Sequence, residues 1–380
     1  MFELNSMVSL LLYFFLFVYF PTLFLVYYFR EVVARPTVHC SASPWNAHAI
    51  ASLPILSKAY YPTIWCFNRH LMLILILLRD YYSKPYVYDS IDELKMPDGG
   101  ITGIAWSGTK GLSGNTETPI AVIFHTISGD EQDVKKTVTN LRNRLGWIVV
   151  VCIRRGHGNL SLGTPVINTM GSTKDLKIQL EYIQKKFPNS PLYGFGLSAG
   201  SGLLARYLGE TGRKSVFQAA VAISPAYDIE KAFHRIHPVY NRLMGIRLIK
   251  YFLDKHYESL SQIPGYQNLA QSKSIVEFQD RLHLIAGYET SEEYYKESNP
   301  IHVIKNIKTA LLVLNSEDDP ICVNLNVLEN MHWLESLPKT ILVKTKRGSH
   351  IVFYEGLFAK SWSDRLVCDY FKHIHESRTL

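Results

Sequence analysis

Residues 191–208 read Pro191-Leu192-Tyr193-Gly194-Phe195-Gly196-Leu197-Ser198-Ala199-Gly200-Ser201-Gly202-Leu203-Leu204-Ala205-Arg206-Tyr207-Leu208. An apolar run from Pro191 to Phe195 enters Gly196-Leu197-Ser198-Ala199-Gly200, and a helical pattern over residues 202–210 leaves it. G-x-S-x-G between a strand and a helix is the pattern of a nucleophile elbow. The turn is tight and strained, so small residues flank it. Its serine is pushed out at the C-terminal edge of a sheet, near the positive end of the following helix. The same letters also fit a Gly/Ser turn that only caps a helix. Partners elsewhere in the chain decide between the two.

Working outward, Ile120–Phe124 and residues 147–152 are short continuous apolar runs, the mark of strands buried on both faces. Between them, residues 133–145 carry Val134, Val138, Leu141 and Leu145 at helical spacing. Leu176, Leu180, Ile183 and Phe187 make Thr173–Lys186 an amphipathic helix, with Pro188 as its stop. Residues 219–223, 310–314 and 340–343 add three more strands. This alternation predicts an α/β chain, a mostly parallel sheet flanked by helices. The stretch from Tyr227 to Ile304 lacks strand-like runs, and an insertion of that length reads as a helical lid. The expected order is a membrane anchor (1–35), a membrane-proximal neck (36–88), sheet core (89–226), helical lid (227–304) and sheet core again (305–380).

A serine alcohol needs a base, and the base needs an orienting carboxylate. For an elbow serine the chain order is Ser, then Asp or Glu, then His, each on a loop after a strand. Residues 310–314 run into Asn315-Ser316-Glu317-Asp318-Asp319-Pro320, and residues 340–343 run into Lys344-Thr345-Lys346-Arg347-Gly348-Ser349-His350. Ser198, Asp319 and His350 are therefore the candidate nucleophile, acid and base, with the adjacent Asp318 as the competing acid. His125 and His157 also lie near the expected edge, but neither follows the acid in chain order. The oxyanion needs two backbone N–H donors. Ala199 supplies one, and the loop His125-Thr126-Ile127-Ser128-Gly129 supplies the other through Ile127. This chemistry requires no metal and no organic cofactor.

The uncharged run over residues 8–29 is about 33 Å long as a helix, enough for a hydrocarbon core of ~30 Å. It is longer than a signal-peptide core, has no basic residue before it and no small-x-small site after it, so it reads as an uncleaved single-pass anchor. Arg30 and Arg35 follow it while Glu3 precedes it, which by the positive-inside bias puts the body in the cytosol. A second run, Leu71 to Leu78, is too short to span; it reads as a buried helix turn or a surface dipping into the bilayer.

Composition fits this picture. The chain has 380 residues, of which 47% are hydrophobic and 19% charged, which excludes a disordered chain. Five scattered cysteines without a C-x-x-C pair exclude a disulfide framework and a thiol-built zinc site. A net charge of +7 without a basic run gives nucleic acid no footing.

At these residues the chain resembles the α/β-hydrolase domain-containing proteins of AB hydrolase family four, a membrane-anchored branch. The resemblance runs from Lys58 to Phe371 and takes in YYPTIWCFNRHLM, MPDGG at Met96 to Gly100, RRGHGN at Arg154 to Asn159 and GFGLSAGSGLLARYLGE. It continues through EYYKESNP, LLVLNSEDDP and GSHIVFYEG around His350. It implies an α/β-hydrolase fold, acylglycerol lipase or phospholipase activity, and Ser198, Asp319 and His350 as the site. The family's oxyanion loop commonly reads Pro-Gly-Leu-Thr-Gly, and its elbow carries leucine and glycine where this chain has Ala199 and Ser201. Those departures bear on pocket shape and acyl preference, not on reaction class. The resemblance also implies a lumenal body, opposite to the charge count.

The expectation is thus a membrane-anchored serine hydrolase acting on acyl esters of glycerolipids, with a lipid ester as substrate and the bilayer as partner. Two alternatives stay open: acyl transfer at the same three residues, and a catalytically silent binding protein on the same fold.

Overall fold

The apolar runs sort by alternate residues onto two faces of one sheet. Ala121, Ile123, Val149, Val151, Tyr193 and Phe195 join one core layer, and Ile120, Val122, Phe124, Ile148, Val150 and Cys152 join the other. A strand buried on both faces has no polar side to show, which is why these runs are uniformly apolar. Helices Lys135–Leu145 and Trp362–Glu376 cover the first layer, and Thr173–Lys186, Ala199–Thr211 and Asn324–Ser336 the second.

The computed structural model describes Met7 and residues 12–377. Residues 1–6 and 8–11 of the expected anchor and 378–380 of the final core segment lie outside the described residues. Among the described residues the main sheet has nine strands. They are β1 (Thr37–Cys40), β2 (Ser90–Lys95), β3 (Ile101–Ser107), β4 (Ile120–Phe124), β5 (Ile148–Ile153), β6 (Leu192–Leu197), β7 (Phe217–Ile223), β8 (Ala310–Ser316) and β9 (Thr340–Thr345). Their spatial order is β1-β9-β8-β7-β6-β4-β5-β3-β2. Strands β4 to β9 run parallel, while β3 pairs antiparallel with β5 and β2, and β1 antiparallel with β9. Parallel strands end at one edge, so the loops after β4, β6, β8 and β9 gather there.

The neck is more than a connector. Thr37-Val38-His39-Cys40 enters the sheet as β1, with Val38 opposite Val343. The run Leu71 to Leu78 lies in helix Arg69–Tyr82, of which only Met72 is buried, so the buried-turn reading is corrected. The insertion between β7 and β8 is helical, including Ile229–His234, Pro238–Leu248, Ile275–Arg281 and Ser291–Ser298. It has a core of its own, with Phe252, Leu260, Leu269 and Phe278, that closes over Ile127, Met170 and Ala199 from the sheet edge. One apolar helix, Leu12–Val32, is long enough at 21 residues to cross a membrane. The wide π-helical turn Phe15–Tyr19 comes just before Pro21, whose ring blocks ordinary helical bonding there.

Candidate active site

The chain leaves β6 and turns into helix Ala199–Thr211 within one residue. Ser198 takes φ +53° and ψ −117°, a sparsely populated positive-φ conformation that costs a non-glycine residue of order 1–3 kcal/mol. Its N–H donates to Ile223 O at 3.0 Å, and Ser201 and Gly202 donate back to Ser198 O. The two flanking glycines are set by space. A Cβ on Gly200 would sit 2.1 Å from Phe124 O, and one on Gly196 2.5 Å from Ser201 Cα. The helix start is thus pressed against the end of β4, and the serine is lifted toward the loops.

His350 and Asp319 arrive from the loops after β9 and β8. His350 Nε2 lies 2.7 Å from Ser198 Oγ, and His350 Nδ1 lies 2.9 Å from Asp319 Oδ2. The other carboxylate oxygen of Asp319 accepts N–H bonds from Ile321 at 2.8 Å and Cys322 at 2.9 Å. Both side chains are buried. Asp318 points elsewhere: it accepts the Ser316 hydroxyl at 2.5 Å and faces Arg347 at 3.6 Å. Burial pushes its carboxyl up to about 6. Two further bonds brace the histidine loop, Ile351 N–H to Ser224 Oγ at 3.2 Å and Ser349 Oγ to Arg69 O at 2.8 Å. Ile351 and Ser224 both have positive φ, at +59° and +51°. Neither Ser224 nor Arg69 carries a signal in the sequence that would have found it.

The loop after β4 is held from behind by a buried guanidinium. Arg154 donates to His125 O at 2.9 Å and to Thr126 O at 2.6 Å, and His157 Nε2 lies 3.0 Å from Ile127 O. In a trans peptide the carbonyl and the next N–H point in opposite directions. Drawing Thr126 O toward Arg154 therefore turns Ile127 N–H away from it. Neither that N–H nor that of Ala199 takes part in a loop or turn bond. Burial, with no carboxylate beside it, lowers Arg154 to about 9. His125 and His157 are fully buried, and burial followed by the Arg154 charge holds both rings well below the usual imidazole range. They are neutral scaffold groups, while the histidine beside Ser198 is His350.

Ile127, Met170, Ser198 and Ala199 share an apolar cavity with Phe233, Ile236, Met244 and Ile275 of the insertion. A hydrophobic acyl group fits such walls. Asp319, Cys322 and His350 offer donor atoms within 4.8 Å of one another, a spacing that also suits a metal ion. The carboxylate and imidazole are already bonded to each other, and burial raises the Cys322 thiol well above its ordinary range, which disfavours the thiolate a metal would need. The set therefore reads as a hydrogen-bonded pair with a packed thiol.

Comparison with known proteins places the whole chain rather than the site. The bovine (Bos taurus) phospholipase ABHD3 is 25% identical over 377 residues, covering 94% of this chain and 90% of that one. A monoacylglycerol lipase of Saccharomyces cerevisiae is 23% identical over 283 residues, covering 71% and 62%. Among solved structures, an esterase of Pyrococcus furiosus aligns with a TM-score of 0.46 at 17% identity, covering 76% of this chain and 91% of that one. The profile of the family described as serine aminopeptidase, S33 (Hydrolase_4) matches residues 119–355, more than half of the chain. With the parallel strands β4 to β9 and the strand–turn–helix serine inside that span, the chain belongs to this α/β-hydrolase family.

Proposed function

We propose that the protein is a membrane-anchored serine hydrolase that cleaves acyl esters of glycerolipids through Ser198, His350 and Asp319. That it is a carboxylic-ester hydrolase follows from its family and its lipase- and phospholipase-named relatives. The finer reading rests on one observation, the chain of contacts from Ser198 Oγ to His350 at 2.7 Å and from His350 to Asp319 at 2.9 Å.

In this reading Ser198 Oγ attacks the ester carbonyl and its proton passes to His350 Nε2. Asp319 accepts from Nδ1, which fixes the tautomer and stabilises the imidazolium. The tetrahedral oxyanion is met by the N–H groups of Ala199 and Ile127. Collapse expels the alcohol, which takes its proton from His350. A water molecule then gives a proton to the same nitrogen and attacks the acyl-enzyme, releasing the fatty acid and restoring Ser198. The relatives named phospholipase and monoacylglycerol lipase support a glycerolipid ester. The apolar cavity supports an acyl chain, and the helix Leu12–Val32 supports a tether to the bilayer where such esters reside.

The test is fluorophosphonate labelling together with a lipid-panel hydrolysis assay, on wild type and Ser198→Ala. Labelling and release of fatty acid from phospholipid or acylglycerol should both disappear in the variant. Labelling that persists without the Ser198 hydroxyl rules the reading out.

A further inference from the structure

Helix Arg69–Tyr82 turns a row of large apolar side chains to solvent. Leu71, Ile74, Leu77, Leu78, Tyr81 and Tyr82 are each between 49% and 83% exposed. At ~100° per residue they fall within an arc of roughly 140°, one face of the helix. Met72, on the other side, is fully buried. A monomeric soluble protein rarely leaves such a face open, and when it does the face binds something.

Three neighbours extend it. The tip of a short antiparallel hairpin, Tyr354–Glu355 paired with Lys360–Ser361, carries Leu357 and Phe358, 68% and 80% exposed. Its backbone is nevertheless pinned: Arg79 donates to Phe358 O at 2.9 Å and to Ala359 O at 2.6 Å, and Trp65 Nε1 donates to Leu357 O at 2.8 Å. Two apolar side chains are thus presented outward on a fixed loop. Helix Pro238–Leu248 of the insertion exposes Val239, Leu243 and Ile246 on one face, bordered by exposed Arg242 and Lys250. Its Met244 lines the cavity at Ser198, and Tyr240 joins it to the first turn of helix Arg69–Tyr82 by a 2.8 Å bond with His70 Nδ1. The helix Leu12–Val32 abuts the same region, where Phe67 meets the rings of Phe24, Tyr27 and Tyr28, and Tyr28 OH donates to Pro62 O at 2.5 Å.

We infer that helix Arg69–Tyr82, the Leu357–Phe358 tip and the outer face of helix Pro238–Leu248 form one surface that lies in the interfacial layer of a lipid bilayer. The occupant is lipid because the surface continues directly into the one helix that, among the described residues, is long and apolar enough to cross a membrane. Its chemistry also matches an interface: apolar side chains in the middle, Tyr81, Tyr82, Tyr61 and Trp65 as amphipathic rings, and cations at the rim. The surface carries the outer side of the helix whose inner side walls the Ser198 cavity. This inference rests on the proposed lipid substrate only for its purpose, which is to set that cavity over the acyl chains.

The experiment uses the full chain in phosphatidylcholine vesicles with brominated acyl chains. Phe358→Trp and Leu78→Trp each add one indole, and Leu112→Trp, on the exposed loop before β4, is the control. More than half of the added emission should be quenched at 358 and 78, and little at 112. Equal quenching at 358 and 112 overturns the inference, as does failure of the protein to float with the vesicles. In a second arm, Ile74→Asp/Phe358→Asp should hydrolyse a water-soluble short-chain ester within twofold of wild type. It should lose tenfold or more on a long-chain glycerolipid embedded in vesicles. Unchanged vesicle hydrolysis overturns the inference, and so does conversion of an oligomer to monomer with quenching intact, which would mark an interface between copies. Quenching needs no turnover, so a wild type that hydrolyses no lipid sinks the proposed function while leaving this surface standing.

Discussion

Arg154 reaches the Thr126 carbonyl at 2.6 Å, holding the peptide whose N–H belongs to Ile127. The guanidinium touches no substrate position, yet it sets the direction of the Ile127 N–H. Arg154→Met should therefore act as loss of a positioning group: kcat on a soluble ester falls about 10²- to 10³-fold, the scale of losing one oxyanion donor, while KM moves little. Steady-state kinetics check this. A rise in KM with kcat intact would mean that the residue only shapes the pocket.

Adjacent acids should separate sharply. Asp319→Asn leaves His350 without its carboxylate and should lower kcat by roughly 10³- to 10⁴-fold. Asp318→Asn keeps the contact between His350 and Asp319 and should stay within about threefold. Parallel rate measurements with a soluble ester decide it, and an equal loss in both would count against the assignment.

Asp318 also predicts a pH effect on stability. Its carboxyl stands near 6 in the fold, against an ordinary 3.8, because burial disfavours the charge. The folded pKa is raised, so the neutral acid is the favoured form. Its contribution is complete below about pH 4 and is lost as pH rises through 6. Asp318→Asn removes that loss. Relative to wild type, the variant should gain stability between pH 4 and pH 7, by at most about 2–3 kcal/mol. Urea denaturation at the two pH values reads the difference, and a flat comparison refutes it.

Gly200→Ala tests the close approach at the elbow. The added methyl would meet Phe124 O at 2.1 Å, a backbone atom that no side-chain motion relieves. The expected cost is about 2–4 kcal/mol, with loss of most activity in whatever folds. Denaturation midpoints and fluorophosphonate labelling together check it.

The parts of the fold legible in the sequence are those where local pattern and tertiary role coincide. Ile120–Phe124 had to be apolar on both faces to sit inside a covered sheet, and Leu176, Leu180 and Ile183 had to share one helix face. Ser198 is readable because the elbow is a local device with its own glycines. Asp318 and Asp319 stand level in sequence, and only the N–H groups of Ile321 and Cys322 single out the second. β1 escaped notice because four residues carry too little pattern, and its partner lies some three hundred positions away. Hydropathy could not tell whether Leu71 to Leu78 faces protein or not, since both environments select the same side chains. The bracing by Arg154 and Ser224 acts on backbone atoms, which leave no trace in composition.

The pairing of Thr37–Cys40 with β9 links the extreme N-terminal segment mechanically to the strand that ends at the His350 loop. Four residues separate β1 from the end of the apolar helix, so the sheet has almost no slack with which to swivel against that helix. A shortened version prepared for crystallisation must begin ahead of residue 37. Cutting later would strip the outer ladder from β9, leave a bare hydrogen-bonding margin next to the histidine, and invite edge-to-edge association of the truncated molecules.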